Sequence, residues 1–245
     1  MPTHFRTALI VGASSGIGEA IVRRLVRDGT RVAAVARRKA ELDRVAQECG
    51  GDKVVPYQHD VRDFDAAPPL YDRILADFDG LDLVVYNAGV MPRVEESEYD
   101  FEKDRWMIEV NLLGGMRWLG LAAATMEAKR AGTLVGVSSV AGDRGRRGNP
   151  GYHTSKAGLT TYLESLRNRV ARHGVNVVTL KPGPVDTAMT AGTRQPLLIT
   201  AERAADSCVA LMKAGVVEGY VPAVWAPIMR TIQHVPSFVF RRTNI

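Results

Sequence analysis

Cysteine is scarce in this chain: its 245 residues include two, Cys49 and Cys208. Neither sits in a CxxC pair or beside a histidine, so no disulfide framework or zinc cluster organises the fold, and a reducing compartment is expected. The five histidines are dispersed, with no HExxH, so no metal site is expected. No run of 18 apolar residues marks a membrane span, and the opening MPTHFRTALIVGASS enters a strand pattern at once. A signal peptide is therefore not expected, and the expected location is cytoplasmic. The net charge of +5 is small and scattered, apart from Arg37-Arg38-Lys39, the run from Arg144 to Arg147, and Arg241-Arg242. A nucleic-acid binder concentrates such charge on one face, so no nucleic-acid partner is expected. Hydrophobic content of 46% and charged content of 24% exclude disordered and fibrous chains.

What is present is alternation. Short β-branched runs at 7–12, 31–36, 54–58, 81–87, 132–139, 175–182 and 218–223 alternate with helical stretches at about 16–28, 38–48, 68–77, 99–129, 152–173 and 200–213. Most of the strand runs are continuously apolar, the pattern of strands buried on both faces. The expectation is a single α/β domain over 1–245 with a doubly wound, mostly parallel seven-stranded sheet of Rossmann type, order 3-2-1-4-5-6-7. Asn149-Pro150 reads as an N-cap followed by proline at the first helical position.

The first strand runs into GASSGIG, residues 12–18, which opens a helix. Gly12, Gly16 and Gly18 allow a tight turn and close backbone approach, leaving amide groups at the helix N-terminus free to hold a pyrophosphate. Ser14, Ser15 and Ile17 are candidate contacts in the same loop. The second strand ends in Ala36-Arg37-Arg38, with no acid for the ribose hydroxyls of NAD. Cations are disfavoured at a helix N-terminus, so their presence points to the 2′-phosphate of NADP(H). NADP(H) is thus expected over NAD(H), with Arg37 as the main contact and Arg38 as a second.

Tyr152 and Lys156 stand four apart in a helical stretch, on one helix face. An ammonium beside a phenol favours the phenolate, which brings a weak base towards a working acid/base range. Ser139 ends a strand, where it could hold a carbonyl oxygen by a hydrogen bond. Each residue alone would be an unremarkable cap or exposed pair.

Seven motifs in order change that weighing: GASSGIG (12–18), HDV (59–61), NAG (87–89), VNLLG (110–114), VSSVAG (137–142), YHTSK (152–156) and PGPVDT (182–187). Over residues 7 to about 190 the chain resembles the short-chain dehydrogenase/reductase family. The resemblance implies a catalytic tetrad of Asn111, Ser139, Tyr152 and Lys156. The thirteen-residue interval to Tyr152 favours Ser139 over Ser138. It further implies that Lys156 binds the nicotinamide ribose and Asn111 steadies a water in a proton relay. By the same resemblance, Asp60 and Val61 meet the adenine, and Asn87, Ala88 and Gly89 line the cofactor. Pro182 and Gly183 flank the nicotinamide, and Thr187 bonds its carboxamide. Two positions depart from the family pattern: Val11 stands where threonine is usual, and Tyr86 where an asparagine often precedes NAG.

The reaction implied is hydride transfer between NADP(H) and a carbonyl or secondary alcohol, with a hydrophobic substrate expected. The alternative is a non-catalytic dinucleotide sensor or scaffold, which an absent Tyr152 or Lys156 would have favoured. A lid is expected over 188–205. The basic loop AGDRGRRGNPG admits an anionic substrate, although its composition favours a solvated loop. The tail 225–245, interrupted by Pro227 and Pro236, could cap the pocket, pack on another subunit or lie weakly on a membrane surface; packing ranks first. A homodimer or homotetramer is the family expectation.

Overall fold

The structure, a computed structural model, describes residues 4–192 and 195–243. Strands β1 (Thr7–Val11), β2 (Arg31–Ala36), β3 (Val54–Gln58), β4 (Leu83–Tyr86), β5 (Gly132–Val137) and β6 (Val175–Pro182) alternate with helices. The helices are α1 (Gly16–Arg27), α2 (Lys39–Glu48), α3 (Ala67–Phe78), α4 (Phe101–Ile108), α5 (Gly114–Lys129) and α6 (Pro150–Val170). Beyond them come the two-residue strands β7 (Val185–Asp186) and β8 (Ile199–Thr200), α7 (Ala201–Ala214), β9 (Glu218–Val221), α8 (Trp225–His234) and α9 (Ser237–Phe240).

Seven strands form one sheet in the order β3-β2-β1-β4-β5-β6-β9, every pairing parallel. This is the expected order, with β9 as its seventh strand. The separate β7-β8 pair was not read from sequence, because two-residue strands carry no periodicity. Continuous apolar runs split by alternation: Ala8 and Ile10 of β1 pack with Ile21, Leu25 and Leu42 on one face. Leu9 and Val11 pack with Tyr71, Trp118 and Leu163 on the other. Strands of this composition are stable only when helices cover both faces. No helix among the described residues is long and apolar enough to cross a membrane.

Two helical expectations are corrected. The stretch 99–129 is not one helix: α4 begins after Asp100, whose carboxylate caps Glu102 and Lys103, and a π-helical turn at Glu109–Leu113 separates it from α5. Such a turn leaves no trace in apolar spacing and often marks a functional site. In the tail, Pro227 does not interrupt a helix. It sits in the first turn of α8, where its missing N–H costs nothing, and only Pro236 follows a helix end.

Candidate active site

The carboxyl ends of β1, β4, β5 and β6 open into one cleft of about 740 Å³. At one end lies the glycine loop. Gly12 and Gly16 have φ of +91° and +57°, conformations that glycine adopts without strain. A Cβ on Gly12 would stand 2.5 Å from the Ala88 amide nitrogen, and one on Gly18 would overlap the Gly12 carbonyl oxygen. Gly18 therefore lies under the loop rather than on the cleft wall. Asn87 closes this packing by donating from Nδ2 to that same carbonyl at 3.0 Å. Across the cleft, Thr187 faces Gly16: a Cβ there would meet its methyl at 3.1 Å. Ser14, Ser15, Ile17, Ala88, Pro182 and Gly183 also line the cleft.

Both arginines after β2 line the cleft. Arg38, itself exposed, donates from Nη2 to the hydroxyls of Ser14, at 3.0 Å, and Ser15, at 2.6 Å. Arg37 lines the same cleft but is half exposed and leans 4.0 Å from Asp60. Asp60 itself faces away from the cleft towards Arg62, which it grips through both main chain and guanidinium. Burial raises its carboxyl pKa, but the hydrogen bonds from Arg62 outweigh that and hold it below its ordinary value. Val61, not Asp60, is on the cleft wall.

At the other end, the tetrad residues meet. Ser138 is committed to α6, donating to the Lys156 carbonyl at 2.9 Å and pairing with Thr160 at 2.8 Å. Ser139 instead lines the cleft beside Tyr152, its Oγ accepting from the Ala141 amide at 3.1 Å and donating to the Pro182 carbonyl at 3.4 Å. Burial raises the Tyr152 phenol's pKa, with Ser139 opposing. Lys156 is buried, with Nζ 5.8 Å from the centroid of the Tyr152 ring and 3.0 Å from the Val137 carbonyl. Burial pulls its ammonium down to about 8. The expected depression of the Tyr152 pKa by Lys156 is thus not realised, because desolvation dominates at both residues and pushes the phenol up.

Asn111, fully buried within the π-helical turn, is a clamp. Its Oδ1 accepts from the Val90 amide at 2.7 Å, and its Nδ2 donates to the Val90 carbonyl at 2.9 Å and the Ser155 hydroxyl at 3.0 Å. Both amide hydrogens are used, so a relay water at this side chain could bind only as a donor to Oδ1. Asn111 and Lys156 converge at Gly89, where a Cβ would stand in ordinary contact, 3.4 Å from both Asn111 Oδ1 and Lys156 Nζ. Ser155, which sequence reasoning missed, continues the chain by donating to the Tyr152 carbonyl at 2.8 Å.

The loop after Ser139 is pinned by a buried ion pair. Asp143 accepts from Lys181 at 2.6 Å and from the Tyr220 hydroxyl at 2.8 Å. The tail adds a wall: Trp225 and Met229 of α8 pack with Val140, and a Cβ on Gly183 would overlap the Trp225 indole. The tail therefore packs on its own chain beside the cleft, and sequence offered only its apolar composition as a sign.

The family profile described as short chain dehydrogenase matches residues 6–197. The chain belongs to the short-chain dehydrogenase family. A curated relative, an uncharacterized oxidoreductase of Myxococcus xanthus (strain DK1622), is 38% identical over 217 residues, covering 88% of this chain and 85% of the relative. An uncharacterized oxidoreductase of Staphylococcus aureus (strain MW2) is 34% identical over 188 residues, covering 76% and 80%. Among solved structures, an alcohol dehydrogenase from the archaeon Thermococcus sibiricus complexed with 5-hydroxy-NADP superposes with a TM-score of 0.80 at 29% identity, covering 88% of this chain and 95% of that one. A 3-oxoacyl-[acyl-carrier protein] reductase from Brucella melitensis ATCC 23457 gives 0.76 at 26% identity, covering 88% of each.

The two departures from the usual short-chain dehydrogenase pattern have structural accounts. Val11 is fully buried in the core face shared with Leu9 and Trp118, so packing replaces the side-chain hydrogen bond of a threonine. Tyr86 is buried too, and its hydroxyl donates to the Val110 carbonyl, one residue before Asn111. Gly114 makes room, since a Cβ there would overlap the hydroxyl. Tyr86→Phe would strip the donor from a buried carbonyl in the π-helical turn. The expected cost is about 1–3 kcal/mol, read as a lower urea midpoint with unchanged slope.

Proposed function

We propose that this chain is an NADP(H)-dependent oxidoreductase that interconverts a carbonyl compound and its secondary alcohol. One observation carries the reading: Ser139, Tyr152 and Lys156 line the same cleft as the glycine loop and Arg38. The residues fit a dinucleotide, because Gly12, Ser14, Ser15, Gly16 and Ile17 line the cleft where α1 begins, and amides at a helix N-terminus can hold a pyrophosphate. Gly12, Ser14, Ser15, Gly16 and Ile17 would hold the phosphates, with Gly18 packing beneath. Arg38, with Arg37 behind it, would hold the 2′-phosphate, and Val61 would meet the adenine, with Asp60 acting through Arg37 and Arg62. Asn87, Ala88, Gly89, Pro182, Gly183, Thr187 and Lys156 would hold the nicotinamide half. The similar Thermococcus alcohol dehydrogenase, complexed with 5-hydroxy-NADP, supports this choice.

When bound, the nicotinamide supplies the hydride in reduction and accepts it in oxidation. Ser139 holds the substrate oxygen by a hydrogen bond, and Tyr152 gives it a proton. A phenol kept protonated by burial is a suitable acid for that step. Lys156, its ammonium brought down to about 8, stands beside Tyr152 with Nζ 5.8 Å from the ring centroid. Asn111 and Ser155 fix α6 against the loop after β4, and so set where Tyr152 stands. Further proposals are a single catalytic domain over 1–245, a lid at 188–205 and a homodimer or homotetramer in the cytoplasm. Of that lid, residues 193 and 194 lie outside the described residues.

The test is a fluorescence titration with NADPH and NADH on wild type and Arg38→Ala. Loss of a charge-assisted contact is expected to weaken NADPH by roughly 10–100-fold, with NADH affected far less. Preference for NADH in the wild type would remove the phosphate reading, and binding of neither would remove the oxidoreductase reading.

A further inference from the structure

The loop between β5 and α6 carries three arginines, and two have structural work. Arg144 donates to the carbonyls of Ile232, Gln233 and Val235 at the end of α8, and its guanidinium lies 4.0 Å over the Phe240 ring. Arg147 is exposed and stands 3.9 Å from Glu96. Arg146 is turned the other way, into the cleft that holds Ser139 and Tyr152.

Its surroundings leave its charge unanswered. Nε is buried without a hydrogen-bond acceptor, and Nη2 meets only the Met229 sulfur at 3.5 Å, a weak acceptor. No carboxylate lies within ion-pair distance of it among the described residues. Asp143, the nearest acid in sequence, is already taken by Lys181 and Tyr220. Burial pulls the guanidinium below its ordinary value, with Asp143 opposing only in part. A desolvated cation without a partner is costly to keep, and a structural role would be met as well by an apolar side chain of that length. His153, which faces it, adds no competing charge at neutral pH: burial lowers its pKa, and Nδ1 is 2.7 Å from the Ala141 carbonyl.

We propose that Arg146 recognises a carboxylate on the substrate, so that the preferred substrates are oxo acids and the matching hydroxy acids. The inference rests on the oxidoreductase reading above and names the substrate class of that same cleft. One unpaired guanidinium matches one carboxylate in charge, and its planar fork offers two parallel N–H donors to the two oxygens. The same cleft is also lined by Val140, Met189 and Trp106. Those walls are apolar, so the stretch between the two functional groups is expected to be hydrocarbon. The basic loop is therefore not simply a solvated one, as its composition suggested: one of its three arginines belongs to the site.

The test pairs turnover with binding. An oxo acid and its methyl ester are compared by kcat/KM with NADPH, and hexanoate and hexanamide are titrated calorimetrically onto the NADP(H)-loaded protein. Wild type is expected to prefer the acid, and hexanoate, by roughly 10–100-fold. Arg146→Met should bring both ratios towards one, chiefly through KM, and Arg146→Lys, which keeps charge but loses the fork, should give an intermediate ratio. An acid preference that survives Arg146→Met, or equal use of acid and ester by the wild type, overturns the inference. Equal hexanoate binding by wild type and Arg146→Met overturns it too, whatever the turnover. Failure of both NADPH and NADH to bind is a different result, one that removes the oxidoreductase reading itself.

Discussion

Tyr152→Phe is expected to lower turnover by about 10²–10⁴-fold, the usual contribution of a positioned general acid. The substitution removes one oxygen and leaves the ring, which packs edge-on to His153 at 6.4 Å between centroids. Local structure should therefore persist, and an NADPH titration should change far less than the rate. The pH profile gives a second readout. Burial raises the phenol's pKa, with the Ser139 hydrogen bond opposing, so the protonated form persists to higher pH than in a free phenol. Carbonyl reduction needs that form and should hold steady through neutrality, falling only as the phenol ionises. Alcohol oxidation needs the phenolate and should rise with pH over the same range. Wild-type turnover by Tyr152→Phe would mean that another group delivers the proton.

The parts legible in sequence are those written in short-range chemistry. The strand runs and a parallel sheet covered by helices on both faces needed only alternation and the parallel-crossover rule. The choice of Ser139 over Ser138 came from an interval; in the fold Ser138 is turned into α6, whereas Ser139 lines the cleft with Tyr152. The parts not legible depend on contacts between distant residues. Asn111 and Ser155 are 44 residues apart, and neither residue type announces a clamp. That Arg38, and not Arg37, bonds the Ser14 and Ser15 hydroxyls depends on where the chain turns into α2, which composition cannot carry. The π-helical turn is hidden because 3.6-residue periodicity tolerates a single extra residue. Arg146 looked like its neighbours until the partners of Arg144 and Arg147 were in view.

Lys156→Met is expected to abolish most turnover and yet stabilise the protein. Lys156 is 4% exposed and donates to the Val137 carbonyl, and no carboxylate pairs with it among the described residues. Burial takes its pKa from 10.5 to about 8. At about 1.4 kcal/mol per unit, holding the ammonium inside costs on the order of 3 kcal/mol at neutral pH. Methionine fills similar volume without charge but leaves the Val137 carbonyl without that donor, which costs about 1–2 kcal/mol. The balance is a gain of about 1–2 kcal/mol, or roughly 2–8 °C in Tm for a chain of this size. The sign can be checked against pH. Between about 8 and 10.5 the unfolded chain holds the proton and the folded chain does not, so wild-type stability rises with pH there. The advantage of the variant is therefore full below pH 8 and shrinks as pH approaches 10. Thermal unfolding at pH 7 and pH 9.5 measures both ends. A variant less stable than wild type at pH 7, with a gap independent of pH, would mean that the buried ammonium is held by favourable contacts. A lysine kept at this cost accords with the proposed role beside Tyr152 rather than with stabilising the fold.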